Sequence, residues 1–260
     1  MMILAVLQAR FSSSRLPGKV LKDLLGEPML YRQIERASRS ERIDKLVVAT
    51  STDHSDDPVE KMCLDKGIHY FRGSLDDVLD RFYRAAEPFS PDHVVRLTGD
   101  CPLIDSNVID NIVELHLAEG NDYTSNTIIP TFPDGLDAEV VTWNTLKTAW
   151  ENALLPSERE HVTPFIYKQP ERFRLGCLKR KGESLFGLRW TVDEQEDLLF
   201  VRRAYEALYP KNPAFSTDAI LELLRVYPEL NSINSGFERN EGYEKSLKAD
   251  EAFLTSKKPQ

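Results

Sequence analysis

Three cysteines are spread through 260 residues, at positions 63, 101 and 177. Their number is odd and no two share a C-x-x-C spacing. A disulfide framework and a structural zinc site are therefore not expected, and three reduced, structural thiols are. Long apolar runs are missing too. No stretch approaches the ~18–20 apolar residues of a membrane helix, and the apolar start Met1 to Leu7 has no basic leader and meets Arg10 too soon for a signal peptide. A cytoplasmic protein with no membrane partner is the expectation. Cations are in deficit, 33 Lys and Arg against 42 Asp and Glu, for a net charge of −9. That balance argues against non-specific binding of nucleic acid or anionic membrane. The chain also has no internal repeat and no low-complexity tract.

What is present is an alternation of two patterns. Ile3 to Leu7, Leu46 to Ala49 and Val94 to Leu97 are short, continuous runs rich in Val, Ile and Leu, as in parallel strands buried on both faces. Between and after them lie segments of helical period. Leu75, Val78, Leu79, Phe82 and Ala85 fall on one face, and Ser74 with Asp77 three residues on is a helix-start signal. Val108-Ile109 with Ile112-Val113, and Leu198-Leu199 with Ala204-Tyr205 and Leu208, read likewise. Alternating strands and helices predict an α/β fold with a doubly wound, mostly parallel mixed sheet. Residues 1–235 are expected to form one domain. Within it, 121–175 is less regular and suits a sheet excursion or a homodimer contact; strand-like Glu139 to Trp143 lies inside it. Residues 236–260, polar and charged, are expected to form a C-terminal arm.

The segment Gln8 to Lys19 follows the first strand, at the edge where α/β sheets gather ligands. It holds Arg10, Arg15 and Lys19 with no acid among them, and three serines and a glycine with small side chains and free N–H groups. Such a loop can wrap a polyphosphate, or be a solvated loop with chance positive charge. It is not a Walker A loop, because Val20 follows the lysine, and it is not G-x-G-x-x-G. Asp100 lies just past the strand ending near Leu97, where Gly99 permits tight backbone geometry and Pro102 delays the next helix. Asp193 follows the β-like run Leu188 to Val192 and precedes a helix, so it either caps that helix or ligates a metal. Two strand-end carboxylates beside a polyphosphate are what Mg²⁺ asks for: few, hard oxygen ligands, with phosphates completing the octahedron.

Together these pieces resemble the cytidylyltransferases of acidic sugars, the Kdo and acylneuraminate enzymes and the related spore coat polysaccharide biosynthesis protein F group. The resemblance rests on Ala9-Arg10, Ser14-Arg15-Leu16-Pro17-Gly18-Lys19-Val20-Leu21, Gly26 to Leu30, Val47 to Thr50, Thr98 to Ile104, Glu160-His161-Val162 and Thr191 to Leu198, in order over roughly residues 3–205. Asp134 to Val140 and Asn240 to Leu247 look most like the spore coat group. The resemblance implies a glycosyltransferase-A-like nucleotidyltransferase fold, often dimeric, that binds CTP and Mg²⁺. By analogy Arg10, Arg15, Lys19 and Asp100 are the catalytic candidates. Leu7, Ala9, Ser13, Gly73 and Ser74 would join Arg10, Arg15 and Lys19 around the nucleotide, and Asp100 and Asp193 would hold the metal.

At the sugar the chain departs from the Kdo pattern. Gly135-Leu136-Asp137 stands where those enzymes carry a histidine, and their glutamine after the Glu-His pair has no match. Asp137, Glu139 and His161 are the candidates for the acceptor, each with a structural alternative. If Asp137 or Glu139 points into the pocket, an acceptor carboxylate beside it would be repelled, which makes an amine or more hydroxyls plausible alongside an acidic sugar. The expected reaction is attack of a sugar hydroxyl on the α-phosphorus of CTP with loss of pyrophosphate, in surface or spore polysaccharide biosynthesis. Mg²⁺ would bridge phosphate oxygens, Lys19 and Arg15 would steady the leaving group, and Arg10 would meet the transferred phosphate. No side chain stands out as a general base, and no G-x-S-x-G elbow supports acyl chemistry. Competing readings are a sugar-1-phosphate nucleotidyltransferase using another NTP and a nucleotide-binding module without turnover. A nucleotide-sugar glycosyltransferase is a further alternative, disfavoured because Cys101-Pro102 follows Asp100 where a D-x-D motif would continue.

Overall fold

A computed structural model describes residues 1–237, 239 and 241–256. Its centre is a seven-stranded sheet. The strands are β1 (Ile3–Gln8), β4 (Lys45–Ser51), β5 (Tyr70–Gly73), β6 (His93–Thr98), β7 (Tyr123–Ser125), β8 (Glu139–Thr142) and β9 (Leu175–Cys177), in the order β5-β4-β1-β6-β8-β7-β9. The pairs β5-β4, β4-β1, β1-β6 and β7-β9 are parallel, and β8 runs antiparallel to both β6 and β7. The expected mostly parallel mixed sheet is what forms. A small hairpin, β2 (Asp23–Leu24) with β3 (Glu27–Pro28), stands apart from it.

Both faces of the sheet are covered, which is why its central strands are apolar without alternation. Ile3, Ala5 and Leu7 of β1 pack in one core with α1 (Met29–Ala37), α2 (Asp57–Lys66), α4 (Ser106–Glu119), α8 (Gln195–Leu208) and α9 (Thr217–Val226). Leu4 and Val6 face the opposite core, with α3 (Val78–Ala86), α5 (Trp143–Asn152) and α7 (Pro164–Tyr167). Each such aliphatic chain contributes ~1.5–3 kcal/mol by leaving water. Moving a polar residue into β1 has no solvent face to turn to.

Two boundaries differ from the sequence reading. Helix α3 begins at Val78, and its cap is Asp77, whose side chain accepts from the Asp80 N–H. Ser74 acts one turn earlier, accepting from the Asp77 N–H at 3.0 Å. Both residues suit a cap, and the later one won because Gly73 and Ser74 are held back in β5 and its exit. The β-like run before Asp193 stays outside the sheet and meets the chain ahead of β8 at an isolated bridge between Arg189 and Asp134. The C-terminal segment carries α10 (Glu241–Ser256), which lies on α6 (Pro156–His161); Asp250 accepts from the Ser157 N–H at 2.8 Å and hydroxyl at 2.6 Å. Cys63, Cys101 and Cys177 are unpaired. Among the described residues no helix is long and apolar enough to cross a membrane.

One buried pair sets an acid limit to stability. His116 of α4 is 1% exposed, and its Nε2 lies 3.0 Å from Nδ1 of His93 in β6, while its Nδ1 meets the Thr124 hydroxyl. Burial, then the neighbouring His93, push His116 down to about 4, against the pull of Asp122. Burial lowers His93 as well, against Asp92. The unfolded chain takes up a proton near the ordinary value of 6.5, and the folded chain does not until about 4. The stabilisation is therefore whole above about pH 6.5 and is lost as pH falls toward 4, by up to about 3 kcal/mol. Urea midpoints between pH 4 and 7 should show this fall, and His116→Gln should flatten it; an unchanged slope in the variant would contradict the assignment.

Candidate active site

The site is built at the carboxyl ends of β1 and β6. The chain leaving β6 must pass close to the chain leaving β1: the Gly99 N–H donates to the Gln8 carbonyl at 2.8 Å, and a Cβ at Gly99 would lie 2.9 Å from the Ala9 Cβ. Glycine is needed here for space. Gln33 locks the next turn by donating to the Thr98 carbonyl at 2.7 Å and accepting from the Cys101 N–H. Asp100 is thereby fixed at the rim. No helix follows it until α4, which Asp105 caps by accepting from the Asn107 N–H.

The basic loop closes on itself over this rim. The Gly18 N–H donates to the Phe11 carbonyl, and Gly18 sits at φ +68° under the Phe11 ring, where a Cβ would meet the ring at 2.8 Å. The Phe11 N–H donates to the fully buried Asp56 at 2.6 Å, and Ser13 Oγ accepts from the Leu16 N–H. A 3₁₀ turn, Lys19–Leu21, then carries Lys19 inward until it is 9% exposed.

Its ammonium joins the two aspartates. Lys19 Nζ lies 3.2 Å from Asp100 Oδ2, 2.7 Å from Asp193 Oδ1 and 2.9 Å from the Val192 carbonyl. Arg15 reaches Asp193 Oδ2 at 3.0 Å and Glu194 at 3.4 Å. Burial works to lower the Lys19 pKa, but Asp100 and Asp193 outweigh it and hold the ammonium above its usual value. Burial likewise works to raise Asp100, and the Lys19 charge with a Thr98 hydrogen bond holds it below the ordinary carboxylate range. Asp193 does not cap α8. Glu194 is the N-cap, and Asp197, at the third position of the helix, accepts from the N–H groups of Asp193 and Glu194 at 2.9 Å each, leaving the Asp193 carboxylate for the cleft.

Asp193 is steered from behind by residues the sequence reading passed over. Arg189, 8% exposed, donates to Asp197 at 2.9 and 3.0 Å, to Asp193 at 3.3 Å, and pairs with Asp134 at 3.5 Å. The Val192 N–H donates to the Asp100 carbonyl at 2.8 Å, tying the two aspartate loops together. Gly135, at φ +106°, lets the loop before β8 press on the same strand; a Cβ there would fall 2.4 Å from the Thr191 backbone nitrogen. The only hint of the Arg189–Asp197 pair in the sequence is an acid at the third position of a helix, which reads as a cap.

The remaining candidates divide. Arg10 is exposed, and its charge reinforces the burial that lowers Arg81 to about 10; Arg81 donates to the Ser74 carbonyl at 2.5 Å. Leu7 is fully buried and offers no side-chain surface to a ligand, and Ala9 is 5% exposed. Asp137 pairs with Arg239 at 2.6 Å, and burial raises it to about 7 despite that cation. Glu139 pairs with Arg96 and accepts from the Tyr123 hydroxyl at 2.9 Å. His161 meets Ser246 at 2.9 Å. Asp137 and Glu139 each pair with an arginine.

Asp100 and Asp193 are hard oxygen donors already bridged by one cation, a donor set suited to a divalent ion that phosphate oxygens complete. Among the described residues no three His, Cys, Asp or Glu form an all-protein metal cage. Two cavities, about 410 and 280 Å³, lie elsewhere, along 183–189, α9 and 231–235.

Comparison with known proteins places the chain in a family. The sequence model of the cytidylyltransferase family matches residues 4–244. An uncharacterized protein of Methanocaldococcus jannaschii is 37% identical over 245 residues, covering 90% of this chain and 95% of its own. The spore coat polysaccharide biosynthesis protein SpsF of Bacillus subtilis is 35% identical over 233 residues, covering 87% and 95%. A solved cytidylyltransferase structure from Leptospira borgpetersenii serovar Hardjo-bovis superposes with a TM-score of 0.85 at 30% identity, covering 92% of this chain and all of that one.

Proposed function

Since the chain belongs to the cytidylyltransferase family and is a nucleotidyltransferase, we propose that it transfers CMP from CTP to a sugar hydroxyl and releases pyrophosphate. One observation carries the reading: the Lys19 ammonium joins Asp100 to Asp193 at the strand ends, with Arg15 alongside. Asp100 and Asp193 would hold Mg²⁺, and the ion would supply neutralisation of the phosphate charge and a more acidic nucleophile. Arg15 and Lys19 would take the charge that builds on the departing pyrophosphate, and exposed Arg10 would meet the α-phosphate. The work of these residues is alignment and charge balance, with no covalent intermediate.

The sugar is an acidic or amino sugar on this reading, as the family resemblance and the paired acids Asp137 and Glu139 support. Pyrophosphate release measured with Mg²⁺ and each of CTP, UTP, GTP and ATP, against Kdo, N-acetylneuraminate and glucosamine, tests it. CTP should exceed the other nucleotides at least tenfold in kcat/KM, a difference of about 1.4 kcal/mol. Turnover of a sugar 1-phosphate with another nucleotide would sink it.

A further inference from the structure

The sequence set two segments apart, 134–140 and 240–247, as most like the spore coat group. They are a hundred residues distant in the chain, and the fold brings the second onto the acceptor candidates. Arg239, just ahead of α10, pairs with Asp137 at 2.6 Å and with Asp134 at 3.6 Å. The Tyr243 ring stands edge-on to His161 with centroids 5.0 Å apart. Ser246 meets His161 at 2.9 Å and donates to Glu160 at 2.6 Å. The Ser157–Asp250 hydrogen bonds anchor the far end of this stretch.

Arg239 is also tied to the reaction centre. Asp134 joins it to Arg189, and Arg189 joins Asp134 to Asp193, so one alternating chain of four charges runs from the C-terminal segment to a metal-site carboxylate. Arg239 and Asp137 keep 17% and 29% of their side-chain surface exposed, so the pair opens to solvent and is within reach of a ligand. A guanidinium presents a planar fork that matches a carboxylate with two parallel hydrogen bonds. A sugar carboxylate entering there has Arg239 to bind in exchange for part of its pairing with Asp137.

We propose that the C-terminal segment is a working wall of the acceptor site and that Arg239 is a specificity-determining residue that reads the carboxylate of an acidic sugar. The inference rests on the CMP-transfer reading and adds to it the residue that chooses the acceptor. Arg239→Gln removes the charge with little change of volume, and Arg239→Lys keeps the charge but not the fork.

The test follows pyrophosphate release from CTP and Mg²⁺ by the full chain with Kdo and N-acetylneuraminate, against glucosamine as an acceptor without a carboxylate. CTP·Mg²⁺ binding is measured separately by calorimetry. Arg239→Gln should raise KM for the acidic sugars by about tenfold more than it raises KM for glucosamine or for CTP, and Arg239→Lys should recover part of the loss. Unaltered acceptor preference, or equal losses for CTP and acceptor, would overturn the role of Arg239. A wild-type enzyme that uses only glucosamine would overturn it as well. Tight CTP binding with no release from any sugar would instead overturn the transferase reading, and this inference with it.

Discussion

Lys19→Met will slow pyrophosphate release roughly 10²–10³-fold, and Asp100→Asn will do so by at least as much, with both proteins still folded. The size follows from where the groups lie. Lys19 is 9% exposed and meets two carboxylates, so its charge acts in a poorly solvated place where it is worth far more than in water. The two variants should fail differently. Lys19→Met leaves Asp100 and Asp193 facing each other without their common cation, so the Asp100 pKa, held down by Lys19, will rise and the rate will gain a steeper acid limb. Asp100→Asn removes a hard oxygen ligand, so it will need more Mg²⁺ for half-maximal rate. Single-turnover rates against Mg²⁺ and pH measure both. If either variant keeps near-normal kcat, the ammonium and carboxylates are structural and the assignment of the centre is wrong.

The second large effect concerns stability. Asp197→Ala should cost roughly 3–5 kcal/mol, a fall in Tm on the order of 10 °C, because it strands a buried arginine. Asp197 is fully buried and accepts from Arg189, from two backbone N–H groups and from Asn234 at 2.9 Å. Arg189 and Asn234, 8% and 4% exposed, have little water to turn to. The same change frees Asp193, since its backbone and its arginine neighbour are held through Asp197, so activity should fall even below the melting range. Asp197→Asn, which keeps the shape and one acceptor, should cost less than half as much. Urea unfolding midpoints with intact slopes decide this. A loss under about 1 kcal/mol for the alanine variant would mean that the network does not hold the site.

The parts of this protein that came through from sequence are those set by local composition. The runs at Ile3, Leu46 and Val94 had to be strands covered on both sides, because nothing polar in them could face water, and they are β1, β4 and β6. The spacing from Val108 to Val113 and from Leu198 to Leu208 presented one apolar face each, and these are α4 and α8. The basic loop and Asp100 were placed at one rim because each follows a parallel strand. Where two residues could serve one local purpose, sequence was ambiguous. Ser74 and Asp77 both suit a helix cap, and Asp193 and Asp197 both precede or open α8; the choice between them depends on hydrogen bonds made to other parts of the chain.

Sequence by itself therefore determined the strands, the helices and the positive loop, since each follows from the period and chemistry of neighbouring residues. The tertiary structure alone decided which charges meet: Lys19 with Asp100 and Asp193, Arg189 with Asp197, Arg96 with Glu139, and Arg239 with Asp137. Coulomb energy depends on distance and burial, and for residues far apart in the chain neither quantity exists until the backbone has folded.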